Sequence, residues 1–377
     1  MTPRKWGHHT QLAVPTGAAP AAVSGLQRLW WRRAAGPWSL LLAPLSLLYG
    51  AAAGAHRALS RPARAAVPVI SVGNLVTGGA GKTPVTLWLA HRLLARGRRP
   101  AVLSRGYGRD GRDDLEVQES TAALRAGDEP LLLKRRCPGA LVFVGPRRAR
   151  LAALAVARGA DVLLLDDGLQ HHALRRDLDV VVVDASNAFG NGHRLPWGPL
   201  RDSPALLGRL PRALVWLTRC DLPRDPRAPR GDVESVFEPG ALSLPDPRAM
   251  PDPGALQLPG ALSPPGAPLD LRGRRVFLFA GIARPASFVA TVRALGAEIE
   301  GARWFPDHYR YSSADLSALR ATGAALLVTT EKDRVRLEPA LLDGPPPIVA
   351  VPVSLRVGRG EAAIDAALDA ALDAARR

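Results

Sequence analysis

Short hydrophobic runs alternate along the chain with longer stretches in which apolar residues recur at helical spacing. Runs that are short and apolar throughout are typical of strands covered on both faces. Between residues 67 and 217 these runs are Val67–Val72, Ala101–Ser104, Leu141–Val144, Val162–Leu165, Val180–Val183 and Leu214–Leu217. Helical stretches lie between several of them, for example Pro84–Arg96 and Pro146–Arg158. Because such alternation favours a parallel sheet with helices on both faces, residues 67–220 are predicted to form an α/β core.

The rest of the chain divides into a proline-rich stretch and a smaller α/β unit. Twelve prolines fall within residues 221–270, and proline interrupts both helices and sheets, so this stretch is predicted to be a linker or an extended excursion. The strands predicted after it are Val276–Ala280, Leu326–Thr330 and Ile348–Val353. Alanine and leucine at helical spacing then predict a closing helix over Glu361–Arg377. Residues 271–377 are therefore expected to form a second domain.

Residues 1–66 contain a leucine-rich segment without formal charge, at residues 34–55. Tryptophan and tyrosine lie near its ends, where their rings favour a membrane interface. The segment is long enough to cross a bilayer, but Pro44 and the arginines on both sides argue against a span. An interfacial helix, a true span and a buried helix all stay open from the pattern alone. We expect a membrane-associated helix lying in the interface, which leaves both of its ends on the side that holds ATP.

Composition and charge narrow the class of partner. Among the 377 residues 47% are hydrophobic, which is enough for two buried cores. The formal net charge is +16 and comes almost entirely from arginine, a surplus that favours phosphate-bearing partners such as nucleotides or anionic lipids. No zinc-finger spacing or basic–aromatic platform indicates nucleic acid, and no protein partner is inferred. Cys137 and Cys220 stand alone, which suits a reducing compartment.

A phosphate-binding loop is predicted where the first strand of the core ends. An apolar strand runs into a glycine-rich turn, then Gly81-Lys82-Thr83, then a helix. Glycines leave room for phosphate oxygens, the helix start adds a partial positive charge, and the lysine reaches the terminal phosphates of ATP. The predicted nucleotide contacts are Val76, Thr77, Gly78, Gly79, Ala80, Gly81, Lys82 and Thr83. The strict pattern has glycine at position 76, where this chain has Val76.

The second half of a phosphate site should be a buried strand that ends in aspartate. Val162–Leu165 leads directly into Asp166 and Asp167, which places two carboxylates at the edge where open α/β sheets bind ligands. Together with the Thr83 hydroxyl, these carboxylates are the predicted Mg²⁺ ligands.

Further motifs narrow the prediction to one family. They are GNLVTGGAGKTP at 73–84, SRGYGR at 104–109, GDEP at 127–130, DDGLQHH at 166–172, GNG at 190–192 with GPLR at 198–201, FPDHY at 305–309 and TEKD at 330–333. In this order they resemble the tetraacyldisaccharide 4'-kinases, the lipid A 4'-kinases of Gram-negative bacteria. That family also begins its phosphate loop without the first glycine, which accounts for Val76.

The resemblance implies an ATP- and Mg²⁺-dependent kinase. It implies transfer of the γ-phosphate to the 4'-hydroxyl of a tetraacylated glucosamine disaccharide 1-phosphate, an acylated lipid substrate, at the cytoplasmic face of the bacterial inner membrane. The family's catalytic pair of aspartate and histidine corresponds to Asp128 and His308. A carboxylate that accepts the hydroxyl proton and a histidine that fixes its geometry suit this chemistry.

Several residues near these motifs stay ambiguous. Gln170 and His171 are predicted to line the nucleotide or acceptor site, with a packed turn as the alternative. Asn191 and Arg201 are candidates for acceptor or phosphate contacts, and Lys332 fits an ion pair as well as a phosphate contact. Two other functions also fit a phosphate loop: a GTPase or ATPase switch, such as a metallochaperone, and a non-enzymatic nucleotide-dependent adaptor at the membrane.

Overall fold

Two β-sheets organise the chain in this computed structural model, which describes residues 30–31, 37–242, 268–342 and 344–374. The strands are β1 (Val69–Gly73), β2 (Pro100–Ser104), β3 (Leu115–Glu116), β4 (Leu141–Val144), β5 (Val162–Asp166), β6 (Leu178–Asp184), β7 (Ala213–Thr218), β8 (Val233–Pro239), β9 (Arg275–Ala280), β10 (Glu298–Trp304), β11 (Leu327–Thr330), β12 (Ile348–Val351) and β13 (Val353–Arg359).

Helices connect and cover these strands. The α-helices are α1 (Ala43–Leu59), α2 (Lys82–Ala95), α3 (Ala123–Ala126), α4 (Asp128–Arg136), α5 (Arg148–Ala157), α6 (Pro285–Ala294), α7 (Ser313–Arg320), α8 (Glu331–Arg336) and α9 (Glu361–Ala374). Short 3₁₀ helices are formed by Pro37–Leu42, Pro204–Arg209 and Pro339–Leu341.

The large sheet has nine strands in the order β13-β8-β7-β6-β1-β5-β2-β4-β3. Its pairs are parallel except at the two edges, where β13 pairs antiparallel with β8 and β3 with β4. Neighbouring side chains of β1 point to opposite faces: Ile70 packs in one core cluster with Leu89 of α2, and Val69 packs in another with Leu151 of α5. The predicted α/β core with helices on both faces is confirmed. Its central strand β1, flanked by β5 and β6, brings the phosphate loop beside the aspartates that end β5.

The smaller sheet has four parallel strands in the order β10-β9-β11-β12. Phe279, in β9, packs with Leu319 of α7, and Val276 of the same strand packs with Val292 of α6. We call the four-stranded sheet with α6, α7, α8 and their connecting loops the small unit, and the nine-stranded sheet with its helices the large unit. The small unit carries the loop that holds His308.

The predicted division of the chain is wrong at two places. The stretch 221–270, expected to be a linker, contains β8, which pairs parallel with β7; residues 243–267 of it lie outside the described part of the chain. The closing strand and helix also belong to the large sheet rather than to a domain spanning 271–377, because β13 pairs with β8 and α9 inserts Ile364 and Leu368 into the core that contains α2. An apolar helix stripe needs a partner surface, and α9 finds it there.

The apolar N-terminal segment is helical over most of the predicted range. A 3₁₀ turn from Pro37 leads into α1, which has Pro44 in its first turn and continues to Leu59, beyond the predicted end at residue 55; residues 34–36 lie outside the described part. In the part of the chain that the structure describes, no helix has the length and apolar character needed to cross a membrane.

The position of α9 generates a test of the domain assignment. Leu368 is fully buried, so Leu368→Ala is expected to lower the free energy of unfolding by about 2–4 kcal/mol. Because α9 packs on the large sheet, hydrogen exchange should accelerate in β6 and β8 as well as in α9. Ala366→Gln, at an exposed position of the same helix, should change stability by less than about 0.5 kcal/mol. Faster exchange confined to residues 271–352 would show that α9 stabilises the small unit instead.

Candidate active site

The phosphate loop connects the end of β1 at Gly73 with the start of α2 at Lys82. Gly81 caps the helix with a φ of +91°, and a Cβ at this position would lie 2.7 Å from the Phe237 ring. Glycine is therefore required here for both conformation and space. Within the described residues, the backbone amides of Gly79, Gly81 and Lys82 donate to no protein acceptor. They are available to an anion at a helix N-terminus.

The surroundings of Val76 show why the loop does not need glycine at this position. Its backbone forms a β-bridge with Leu200, and its side chain is buried in an apolar cluster with Leu75 and Leu169. An extended, paired residue has no need of glycine's freedom, and the buried side chain stabilises the loop. Val76 was predicted to contact the nucleotide, but its side chain faces this cluster and only its backbone is left for that role.

The other predicted loop residues differ in what they offer a ligand. The amide of Thr77 is used by Pro199 O at 2.8 Å and that of Ala80 by Gly78 O at 3.0 Å. The Thr77 hydroxyl oxygen is buried and has no hydrogen-bond partner in the described part of the chain. A buried polar atom without a partner is uncommon in a folded protein and is consistent with a ligand contact.

Lys82 contacts both a polar and a charged side chain beside the loop. Its ammonium donates to Asn74 Oδ1 at 3.3 Å and lies 3.5 Å from Asp167 Oδ1. That carboxylate oxygen is buried and has no hydrogen-bond partner among the described residues. The other oxygen of Asp167 accepts from Arg201 at 2.8 Å. Burial acts to raise the pKa of Asp167, but the charges of Lys82 and Arg201 outweigh it and lower the pKa, so the group is ionised.

Asp166 is the more deeply buried of the two carboxylates. It accepts hydrogen bonds from the Thr86 hydroxyl at 3.3 Å and the Ser104 hydroxyl at 3.4 Å. Burial, together with the negative charges of Glu129 and Asp167, raises the pKa of Asp166. A carboxylate in this situation is stabilised by a cation placed next to it.

These side chains fit a magnesium ion that is shared with a nucleotide. The described residues contain no group of three or more His, Cys, Asp or Glu side chains able to hold a metal by themselves. Mg²⁺ at a phosphate site takes only one or two carboxylates and completes its coordination with phosphate oxygens and water. Asp166 and Asp167, with Thr83 at the start of α2, form a donor set of that kind.

The structure brings Asp128 and His308 together across the two units. Asp128 begins α4 in the large unit and is buried, and His308 Nδ1 lies 3.1 Å from its Oδ2 and 3.2 Å from its Oδ1. Arg336 donates from Nε to Asp128 Oδ2 at 2.8 Å and also contacts it through Nη2. The Lys332 ammonium lies 3.9 Å from the same oxygen. One carboxylate of the large unit is therefore surrounded by three nitrogen-bearing side chains of the small unit.

Both ring nitrogens of His308 face charged side chains. Asp128 is ionised and can only accept, so Nδ1 carries the proton that faces it. Nε2 lies 3.3 Å from the Lys332 ammonium and 3.8 Å from Asp307 Oδ2. Burial acts to raise the pKa of Asp128, but the hydrogen bond from His308 and the charges of Lys332 and Arg336 lower it well below its usual range.

Arg336 is a site residue that sequence reasoning missed. It lies one helical turn after Lys332 on α8, so both point to the same face of a helix whose start had been singled out. Asp333, which is fully buried, holds Arg336 Nη1 at 2.9 Å and also accepts from the Tyr311 hydroxyl at 2.8 Å. The i, i+4 spacing of the two cations was the signal available in the sequence.

The residues left ambiguous by the sequence take distinct places. Gln170 donates to Asn74 O at 3.0 Å and accepts from Arg201 at 3.3 Å, so it lies directly behind the phosphate loop. Lys332 is ion-paired, with Glu129 Oε1 at 3.1 Å and Asp307 Oδ1 at 3.2 Å.

Asn191 and His171, also left ambiguous, differ in whether the protein satisfies their side-chain hydrogen bonds. Asn191 donates to Trp197 O at 3.0 Å, which braces its own loop. Burial and nearby cations, first Arg148 and Arg105, lower the pKa of His171 to about 4, so its ring is neutral near pH 7. Within the described residues its Nε2 is buried without a hydrogen-bond partner, which leaves it available to a ligand.

Fold and site together define a P-loop-type nucleotide-binding protein in which a second α/β unit supplies side chains to the edge of the phosphate site. Residues 38–373 match the family model described as tetraacyldisaccharide-1-P 4'-kinase. The chain belongs to the tetraacyldisaccharide 4'-kinase family.

Relatives and a solved structure agree with this assignment. The tetraacyldisaccharide 4'-kinase of Anaeromyxobacter dehalogenans strain 2CP-C is 48% identical over 85% of this chain and 88% of its own length. The enzyme of that name from Methylobacterium sp. strain 4-46 is 42% identical over 89% of this chain and 94% of its own. The crystal structure of LpxK from Aquifex aeolicus in complex with ATP superposes with a TM-score of 0.70 at 27% identity, covering 89% of this chain and 99% of that one.

The role of Val76 can be tested by restoring the glycine of the strict pattern. Val76→Gly is expected to lower the free energy of unfolding by about 2–4 kcal/mol, because it removes a buried side chain and loosens a paired backbone. Mg·ATP affinity should fall or stay the same. Val76→Ala separates the loss of the side chain from the added backbone freedom. Denaturant unfolding and calorimetric titration measure both quantities, and tighter ATP binding by the glycine variant would contradict this account of the loop.

Proposed function

We propose that this chain transfers the γ-phosphate of ATP to the 4'-hydroxyl of a tetraacylated glucosamine disaccharide 1-phosphate in lipid A biosynthesis. The observation that carries the proposal is the 3.1 Å contact between Asp128 and His308, made between two units at the edge of a phosphate site. A hydrolytic switch has no need of such a pair from a second unit. A kinase needs a group that orients an acceptor hydroxyl, and it gains from closing the acceptor between two surfaces.

The phosphate loop and its surroundings would hold and orient the donor. The free amides and the Lys82 ammonium bind the phosphates, and they develop stronger contacts as negative charge shifts towards the leaving oxygen. Asp166, Asp167 and Thr83 would hold Mg²⁺, which when bound neutralises charge on the phosphate oxygens. Because Lys82 already lies between Asn74 and Asp167, nucleotide binding needs to reorient its ammonium only locally.

Asp128 would orient the acceptor hydroxyl and receive its proton. Its lowered pKa makes it a weak base, but phosphoryl transfer passes through a loose transition state in which the attacking oxygen is only slightly bonded. Positioning therefore matters more than basicity. The Nδ1–H of His308 and the guanidinium of Arg336 hold the carboxylate in one orientation.

Helix α1 supports a role at a membrane surface. The 3₁₀ turn and α1 expose a set of leucines with fractional exposures of 53–73%, namely Leu40, Leu41, Leu45, Leu47 and Leu48. An apolar face of this kind is typical of helices that lie in the lipid interface. Peripheral binding to the cytoplasmic face of the inner membrane would bring the site to an acylated substrate and leave it open to ATP.

The catalytic assignment is tested by Asp128→Asn in an assay with labelled ATP and the acylated disaccharide monophosphate. We expect kcat to fall about 10²- to 10⁴-fold, because the amide keeps the shape but loses both the proton acceptor and the charge that His308 and Arg336 hold in one orientation. The affinity for Mg·ATP should change little. Asp110→Asn is a matched control, since this exposed carboxylate pairs with Arg310 across the same two units at 2.6 Å. An unchanged kcat for Asp128→Asn, or ATP hydrolysis with no phosphorylated lipid from the wild type, would refute the proposal.

The membrane role is tested by Leu41→Gln, Leu47→Gln and Leu48→Gln combined. Partitioning onto lipid vesicles should fall about 10- to 100-fold, because each leucine loses its gain from leaving water. The apparent KM for lipid presented in vesicles should rise, and kcat in detergent should be kept. Leu222→Gln, at an exposed leucine far along the chain, serves as the control. Equal partitioning of the triple variant and the wild type would remove α1 from membrane binding.

A further inference from the structure

Helix α1 has a second face that is turned towards the phosphate site. Its last turn carries Arg57, whose guanidinium donates to Asp202 Oδ1 at 2.6 Å. The Asp202 side chain is 8% exposed, and that of Arg57 is 36% exposed. Further back along α1, Ser46 donates to Arg194 O at 3.0 Å. The helix that presents leucines outwards is therefore bound to the segment 194–202 on its inner side.

Asp202 is connected to Asp167, one of the predicted Mg²⁺ ligands, through the side chains of Gln170 and Arg201. Its other oxygen, Oδ2, accepts from Gln170 Nε2 at 2.9 Å. The side-chain oxygen Oε1 of Gln170 accepts from Arg201 Nη1 at 3.3 Å, and the same Arg201 nitrogen donates to Asp167 at 2.8 Å. The continuous series is thus Arg57, Asp202, Gln170, Arg201 and Asp167, and its last member lies 3.5 Å from the Lys82 ammonium.

The backbone makes a parallel connection. Thr77 N donates to Pro199 O at 2.8 Å, and Arg201 N donates to Leu75 O at 2.7 Å, so the segment before Asp202 runs along the first half of the phosphate loop. Gln170 Nε2 adds a contact to Asn74 O at 3.0 Å. A shift of Asp202 would therefore displace both the loop that holds the phosphates and the partners of Lys82.

We propose that Arg57 and Asp202 are positioning residues for the nucleotide site, so that the inner face of α1 sets the placement of Lys82 and Asp167. Asp202 is a buried carboxylate with two side-chain donors, and removal of Arg57 leaves Gln170 as its one side-chain hydrogen-bond donor among the described residues. Gln170 must then compensate, because a buried charge without its partner is costly, and its bonds to Asn74 and Arg201 change with it. The inference rests on the proposed use of ATP but not on the identity of the acceptor.

The test compares Arg57→Gln, Asp202→Asn and the double variant in detergent, where vesicle binding plays no part. We expect each single variant to weaken binding of a non-hydrolysable Mg·ATP analogue about 5- to 30-fold, which lies within the range typical of coupled sites. The double variant should be no weaker than the worse single one, because both changes break the same connection. Arg57→Lys should restore part of the affinity.

Arg61→Gln is the matched control, because Arg61 is an exposed arginine just after the end of α1 that makes no ion pair with the described residues. A purely structural role would lower the melting temperature but leave the analogue affinity of the folded protein unchanged, and that result would overturn the proposal. Additive losses in the double variant would overturn it too. If the wild type binds the analogue but phosphorylates no lipid, the proposed acceptor fails while the positioning role is still decided by the affinities.

Discussion

Buried carboxylates at the carboxyl edge of the large sheet need cationic partners, and the chain supplies these partners from distant segments. Asp128 is held by Arg336, which lies 208 residues further along. Asp184, which is 3% exposed, accepts from Arg219 of the large unit and at 2.5 Å from Arg284 of the small one. Because an unpaired buried charge is strongly destabilising, these pairs can form only when the two units are correctly placed. Charge neutralisation thus fixes the geometry on which the site depends.

The same requirement accounts for part of the unusual arginine content. A net charge of +16 first indicates phosphate-bearing ligands, but many guanidiniums are engaged within the protein. Arg136 joins Glu331 at 2.7 Å between the two units, and Arg96 joins Asp365 at 2.7 Å between α2 and α9. Arginine suits these places because its planar, always charged fork satisfies a carboxylate with more than one hydrogen bond. The arginine side chains thus stabilise the fold through ion pairs and also attract anions.

The fold brings together motifs that lie far apart in the chain. The phosphate loop and the aspartates that end β5 lie about eighty residues apart in the chain but adjacent in space, because β1 and β5 are neighbours in the sheet. Glu129 links this site to the pair of Asp128 and His308, since it lies next to Asp128, pairs with Lys332 at 3.1 Å and helps to raise the pKa of Asp166. The negative charges of both half-sites therefore act on one another, and a bound cation stabilises them together.

The sequence by itself determined the α/β core, the phosphate loop, the aspartates that end β5 and, through the family's motifs, the pairing of Asp128 with His308. The first three features follow from short patterns, because strand runs, glycine spacing and helix starts depend on the residues within one element, whereas the pairing came from the resemblance to the family. Only the tertiary structure decided that Val76 replaces a glycine by pairing with Leu200, that Arg336 holds Asp128, and that α9 closes the large sheet. The physical reason is that each of these depends on a contact between residues more than a hundred positions apart, and no local period of hydrophobicity or charge specifies such a partner.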